Sequence, residues 1–302
     1  MSHVATQAEQ DLQEIMNLID SIENIEAFAT KNSVKSEGLS WLGCLSESGL
    51  ARLQSPRLSL FVGDYGFADS ARESGQPHHS EYVNNFVSDC HNGTLKLNQL
   101  CSHANCDLRL YEMGSNQPFS LDDLIRSFSY GLISVEQGID FLAIGSFGLF
   151  VDEVVKAIIY AHKNSLPDHD NVVDIRTEKL LKDNSGAKGF DCLRRIGGPE
   201  LSAMCGVILA ARMAGIPILL EGYGAFAAYE ILSAHSDVIG QHCALTGKIS
   251  EDFLNSLSIP FLPPPYDLVS NEHAMELCGI SSACLIPQLK NEILLSSVIA
   301  PR

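Results

Sequence analysis

A chain of 302 residues with a 45% hydrophobic fraction is long enough for one large domain or two around a sizeable core. Its 37 acidic against 20 basic residues give a formal charge of -17, which excludes nucleic acid and anionic membranes as expected partners, since both need clustered Lys and Arg. No apolar run reaches membrane-spanning length, and Met1-Ser2-His3-Val4-Ala5-Thr6-Gln7 has no basic stretch followed by an apolar one. A cytoplasmic protein is therefore expected, with its nine cysteines as reduced thiols.

From Gln7 to Phe28, Leu12, Ile15, Met16, Ile19 and Ile22 recur at helical spacing, with Asp11, Glu14, Asp20 and Glu23 largely off the stripe, which predicts a packed surface helix. Leu58-Ser59-Leu60-Phe61-Val62 reads as a buried strand ending at Gly63-Asp64-Tyr65-Gly66. A helical stretch from Tyr82 to Leu100 precedes a second strand, Leu108–Tyr111. Cys90-His91, Cys101, His103 and Cys106 resemble a ligand cluster, but their spacing matches no regular zinc pattern; a structural role is expected, and neither a metal nor a cofactor. Ser120, with Asp122 and Asp123 in the first turn, starts a helix toward Gly138. Phe141-Leu142-Ala143-Ile144 is the next short strand, followed by Gly145-Ser146-Phe147-Gly148 and a helix through Val154, Ile158 and Ile159. The polar stretch between Lys163 and Gly189 is expected as an exposed loop.

Arg195-Ile196-Gly197-Gly198-Pro199-Glu200 then enters a buried apolar segment that leads to Ile216-Pro217-Ile218-Leu219-Leu220-Glu221-Gly222-Tyr223. Pro199 suits the first turn of a helix and Gly215 the position past its end, so Gly197 and Gly198 fall at a helix N-terminus. Exposed N–H groups there hold phosphate or carboxylate; alternatively the two glycines only make a tight turn. Glu221 follows a strand, where an open parallel sheet places its ligand crevice. Arg194 and Arg195 are candidate anion contacts, and Asp64 is either a ligand contact or a turn cap.

Pro260 and Pro263-Pro264-Pro265 exclude helix, and two helical stretches around Gly279 follow. Strands alternating with helices argue for an α/β fold, a mostly parallel sheet flanked by helices, with a small helical subdomain from both chain termini. The expected boundaries are 1–50 and 266–302 for the two parts of the small domain and 51–265 for the large one.

Read together, these motifs resemble the nicotinate-nucleotide:dimethylbenzimidazole phosphoribosyltransferase family from about Leu58 to Leu289. Leu193–Leu201 and Ile216–Tyr223 look like the family's R-x-G-G-x-E helix and I-P-x-L-x-D-G-F strand. Gly63-Asp64-Tyr65-Gly66 looks like its G-D-H-G, Gln76 falls where a glutamine lines the benzimidazole pocket, and Gly138–Gly145 leads into the phosphate loop. The resemblance implies a homodimer that transfers the phosphoribosyl group of nicotinate mononucleotide to an aromatic azole base, with Gly145 and Gly148 at the nucleotide.

The chain departs from the pattern in three places, the first being the amino-terminal T-K-P-x-G-S-L-G, eroded here to Thr30-Lys31-Asn32-Ser33-Val34. Gly145-Ser146-Phe147-Gly148-Leu149-Phe150-Val151-Asp152-Glu153 keeps only the first two glycines of the family's G-E-M-G-I-G-N-T-T. At the place of the family's catalytic glutamate stands Cys278, beside Gly279, with Glu276 two residues away; Glu276 and Glu221 are the candidate bases. Cys278 reads as a small buried residue or a nucleophile. Two function classes follow: an active phosphoribosyltransferase, or an inactive relative that binds a nucleotide or aromatic base. A dinucleotide-dependent oxidoreductase is disfavoured because no G-x-G-x-x-G follows a strand.

Overall fold

The computed structural model describes residues 6–22, 41–42, 53–63, 79–114, 119–148, 151–163, 175–249, 251–254, 257–264 and 278–299. Five strands, β1 (Pro56–Val62), β2 (Asp107–Glu112), β3 (Phe141–Phe147), β4 (Ile218–Glu221) and β5 (Cys243–Thr246), form one sheet of order β2-β1-β3-β4-β5. Every pairing is parallel, and Gly145 lies opposite Leu60 on one side and Glu221 on the other. The inner strands are buried along nearly their whole length because helices cover both faces.

Alternation along the strands divides the core. Phe61, Leu142, Ile144 and Leu220 face α1 (Gln7–Ser21), α4 (Leu121–Ser134), α5 (Val151–Lys163), α7 (Gly189–Ile196), α8 (Pro199–Ala214) and α9 (Gly222–Ser233). Leu58, Leu60, Phe141, Ala143 and Leu219 face α3 (Lys96–Ala104) and α11 (Ile280–Ile299) on the other side. The N-terminal helix carries the expected stripe, Ile15 and Ile19 inward, and starts at a Thr6–Glu9 capping box. Ser120 and Asp123 make a second such box at the start of α4.

Helices α4 and α8 touch backbone to backbone. Ser202 Oγ donates to the Leu124 carbonyl at 2.7 Å, Gly131 abuts the Ala203 carbonyl, and a Cβ at Gly206 would meet the Phe128 carbonyl and come within 2.9 Å of the Leu132 nitrogen. Neither backbone can yield, so Gly206→Ala is expected to cost about 1–3 kcal/mol, measured by urea unfolding.

Several elements differ from expectation. The strand beginning at Phe141 runs on through Phe147, so Gly145 is a strand residue and not part of a loop. The stretch from Tyr82 to Leu100 is two helices, α2 (His79–His91) and α3, broken at Gly93, whose φ of 73 ends the first. Within the expected loop between Lys163 and Gly189 lies α6 (Ile175–Asp183): Leu180 and Leu181 pack on the core, and Glu178 pairs with Lys182 at 2.7 Å. Strand β5 has only four residues and carries no period of its own.

The sheet's two margins differ. Asp107, Arg109 and Glu112 are exposed along β2. Along β5, Leu245 donates to the Pro260 carbonyl at 2.8 Å and accepts from the Leu262 N–H at 2.8 Å, so residues 260–262, beyond α10 (Glu251–Leu254), pair with that edge.

Candidate active site

Strand β1 leads outward to β2, while β3, β4 and β5 follow on its other side, so strand order reverses between β1 and β3. Ligands of doubly wound sheets bind beyond the carboxyl ends of the strands at such a reversal. The Gly63 N–H donates to the Phe147 carbonyl at 3.0 Å and ties those two ends together. The carboxylate of Glu200, fully buried in the first turn of α8, fills the space that a side chain at Gly63 would take. Glycine at 63 therefore seats a glutamate at the crevice.

An aromatic cluster adjoins it. Phe147, the last residue of β3, stacks on Phe86 at 3.7 Å and Tyr82 at 5.7 Å between ring centres; both partners come from one face of α2. Cys278 packs on this cluster, and its thiol donates to the Ser146 carbonyl at 3.0 Å. It lies above Gly145, where a Cβ would be 3.5 Å from the sulfur, so the strand glycine makes room for the thiol. Gly279, at φ +81, turns the chain into α11, and a side chain there would press on Leu58 and Leu97. Burial pushes the Cys278 thiol well above its ordinary range, and the charge of Glu221 adds to this. A neutral thiol with its proton already donated is neither a nucleophile nor a proton acceptor.

Glu221 ends β4 and is buried. Its two oxygens accept the N–H groups of Ser281 and Ser282 at 3.0 and 2.9 Å, so the carboxylate caps the N-terminus of α11. Burial pushes its carboxyl upward, against the serine donors that pull it down. Both oxygens are thus committed to the backbone.

At the α7–α8 junction, Gly198 is the N-cap of α8, with φ −146, and its carbonyl accepts the Ser202 N–H at 3.1 Å. The Gly197 N–H instead donates to the Leu193 carbonyl at 2.8 Å, and a Cβ there would strike Leu193. Arg195 makes two bonds to Asp191, at 3.0 and 2.9 Å, and Arg194 one at 3.3 Å, which hold the Asp191 carboxyl below its usual range. So Gly145, Gly148, Glu221, Cys278 and Gly279 gather at the carboxyl ends of β3 and β4, and Gly198 precedes Glu200 by two residues. Arg195 and Gly197 are engaged within their own helix. Asp64, Gln76 and Glu276 lie outside the described residues.

The residues that the sequence did not single out are Glu200, Tyr82, Phe86 and Phe147. Glu200 stands inside the glycine motif itself, and Tyr82 and Phe86 share a helix face at a spacing of four. Among the described residues no group of three or more His, Cys, Asp or Glu side chains is placed to hold a metal ion. Cys90, Cys101 and Cys106 are buried free thiols, and His103 bonds the Gln99 carbonyl at 2.7 Å. No helix among the described residues is long and apolar enough to cross a membrane.

A phosphoribosyltransferase family model matches residues 171–254, which contain the α7–α8 junction and β4. The nicotinate-nucleotide–dimethylbenzimidazole phosphoribosyltransferase of Rhizobium etli (strain CIAT 652) is 27% identical over 220 residues, 65% of this chain and 64% of the relative. That of Allorhizobium ampelinum is 26% identical over 236 residues, 70% of this chain and 68% of the relative. The crystal structure of the Thermus thermophilus enzyme of this name superposes with a TM-score of 0.69 at 16% identity, covering 92% of this chain and 94% of that one. The chain is similar to this family over about two thirds of its length, at low identity. Its match spans slightly less than two thirds of the length of the Rhizobium etli relative, 64%. The parallel sheet and its helices match the α/β fold of that crystal structure, and the crevice between β1 and β3 lies where doubly wound sheets in general bind ligands.

Proposed function

We propose that the chain transfers the phosphoribosyl group of nicotinate mononucleotide to a benzimidazole-type base, acting as a cytoplasmic homodimer without a cofactor. The observation that carries this reading is the pairing, at one crevice, of an aromatic cluster (Tyr82, Phe86, Phe147) with the buried carboxylate of Glu200. Aromatic side chains favour a flat aromatic acceptor. In the transfer an azole nitrogen donates its lone pair to C1′, nicotinate leaves with the electrons of the broken C1′–N bond, and the azole's proton passes to a base. Glu200 steadies positive charge developing at C1′. The start of α8, with Gly198 at its cap, is the proposed anchor for the nucleotide's phosphate.

The test is incubation of purified protein with nicotinate mononucleotide and a panel of azoles, scored by nicotinate release. Release with at least one azole supports the reading; none with any azole sinks it. A second reading, an inactive relative that binds a nucleotide or base, is favoured by two observations: a protonated thiol holds position 278, and Glu221 is committed to α11. Binding without turnover is its outcome.

Gly198→Asp tests the anion site. Aspartate is a favoured N-cap in this extended conformation, so the fold should stand, while its charge repels an anion at the helix start. Nucleotide-dependent thermal stabilisation should vanish; if it persists unchanged, the anion binds elsewhere. Tyr130 and Ile133 are exposed on α4, at 43% and 75%, and offer an apolar contact to a second copy. A dimer built on such contacts survives high salt, so light scattering in 1 M salt, about a 3 Å Debye length, should return twice the chain mass.

A further inference from the structure

Helix α7 has no side-chain cap of the usual kind: Lys188 occupies the N-cap position and makes no such bond. Two imidazoles take that place. His162, near the end of α5, donates from Nδ1 to the Ile158 carbonyl at 2.8 Å, which leaves Nε2 as an acceptor for the Gly189 N–H at 2.7 Å. His235, just beyond α9, accepts the Phe190 N–H at Nε2 at 3.4 Å while its ring stacks on Phe190 at 4.9 Å. Gly189 sits at φ +54, and a Cβ there would collide with the His235 ring, so only glycine admits this cap.

We propose that His162 and His235 form an acid-releasable cap on α7, and that its release loosens the Gly197–Gly198 turn and the start of α8 that carries Glu200. A proton on either Nε2 turns an acceptor into a donor that faces an N–H. It also adds positive charge at the positive end of the helix. The charged groups around the pair act unequally: Lys188 and His235 oppose a proton on His162, whereas Asp20 of α1 favours one on His235. Burial is the largest influence on both rings and holds both below the ordinary histidine value of 6.5. A histidine with a folded value below its unfolded value stabilises the fold above the unfolded value, and that stabilisation is lost as pH falls below it. The window therefore opens below about pH 6.5.

His242, fully buried and pushed down to about 3, acts in the same direction on the whole fold. A local measurement separates the two. Amide hydrogen exchange, corrected for intrinsic rate, should show at least a tenfold loss of protection in α7 and the first turn of α8 between pH 7.5 and 5.5, with β4 changed less than twofold. The double variant His162→Gln, His235→Gln keeps an acceptor at each site but cannot titrate, so its α7 protection should be the same at both pH values. Equal protection in the natural protein at both pH values, or the same tenfold loss in the variant, overturns the proposal. Should the variant fail to fold, ring nitrogen NMR of the natural protein decides. Midpoints below 6 with His162 as the Nδ1–H tautomer support the cap, and ordinary midpoints or the other tautomer overturn it.

Discussion

Glu221→Ala is expected to destabilise the protein by about 3 kcal/mol, because it leaves the Ser281 and Ser282 N–H groups buried without acceptors and removes the charge at the start of α11. Urea unfolding measures the loss. The companion variant Glu221→Gln separates support from chemistry. An amide retains one acceptor and cannot take a proton, so a capping residue predicts lowered stability with nicotinate release per folded molecule within about tenfold of the natural protein. A general base predicts a loss of about a hundredfold or more at little cost in stability. The two hydrogen bonds to α11 favour the first outcome.

Cys278→Glu is expected to raise nicotinate release by about a hundredfold, the scale on which a positioned base acts. The thiol lies against Phe147 and the Ser146 carbonyl, within the electrostatic reach of Glu221. A carboxylate there would be partly desolvated and beside a like charge, and both effects move its pKa up toward neutrality, where a base works best. The larger side chain also crowds the seat above Gly145, so some stability should be lost. If the natural protein is inactive with every azole and Cys278→Glu changes nothing, the binding reading replaces the catalytic one.

The sequence carried the sheet well where strands and helices each had a clear period. Leu58–Val62, the Ser120 cap and the Pro199-to-Gly215 helix all stand where local chemistry put them. It carried less where tertiary contacts decide. The polar surface of α6 hides Leu180 and Leu181, and β5 is a strand only because β4 and residues 260–262 pair with it. At the site, motif reading brought together Gly145, Glu221 and Cys278 but could not tell how each is used. Whether a glutamate at a strand end faces a crevice or a helix terminus depends on the chain some 60 residues later, at Ser281 and Ser282. The two arginines were legible as cations, yet their partner, Asp191, lies one turn away on the same helix.

The sheet margins bear on how copies of this chain meet. Exposed strand edges are templates along which further chains add hydrogen bonds, the route to fibrils and swapped assemblies. One edge here is already occupied by residues 260–262, and the other displays Asp107, Arg109 and Glu112 in a chain of net charge -17. Growth by strand addition is therefore blocked at one border and repelled at the other. Concentrated preparations should resist fibril formation, and a stable pairing of copies is expected to form away from these two edges.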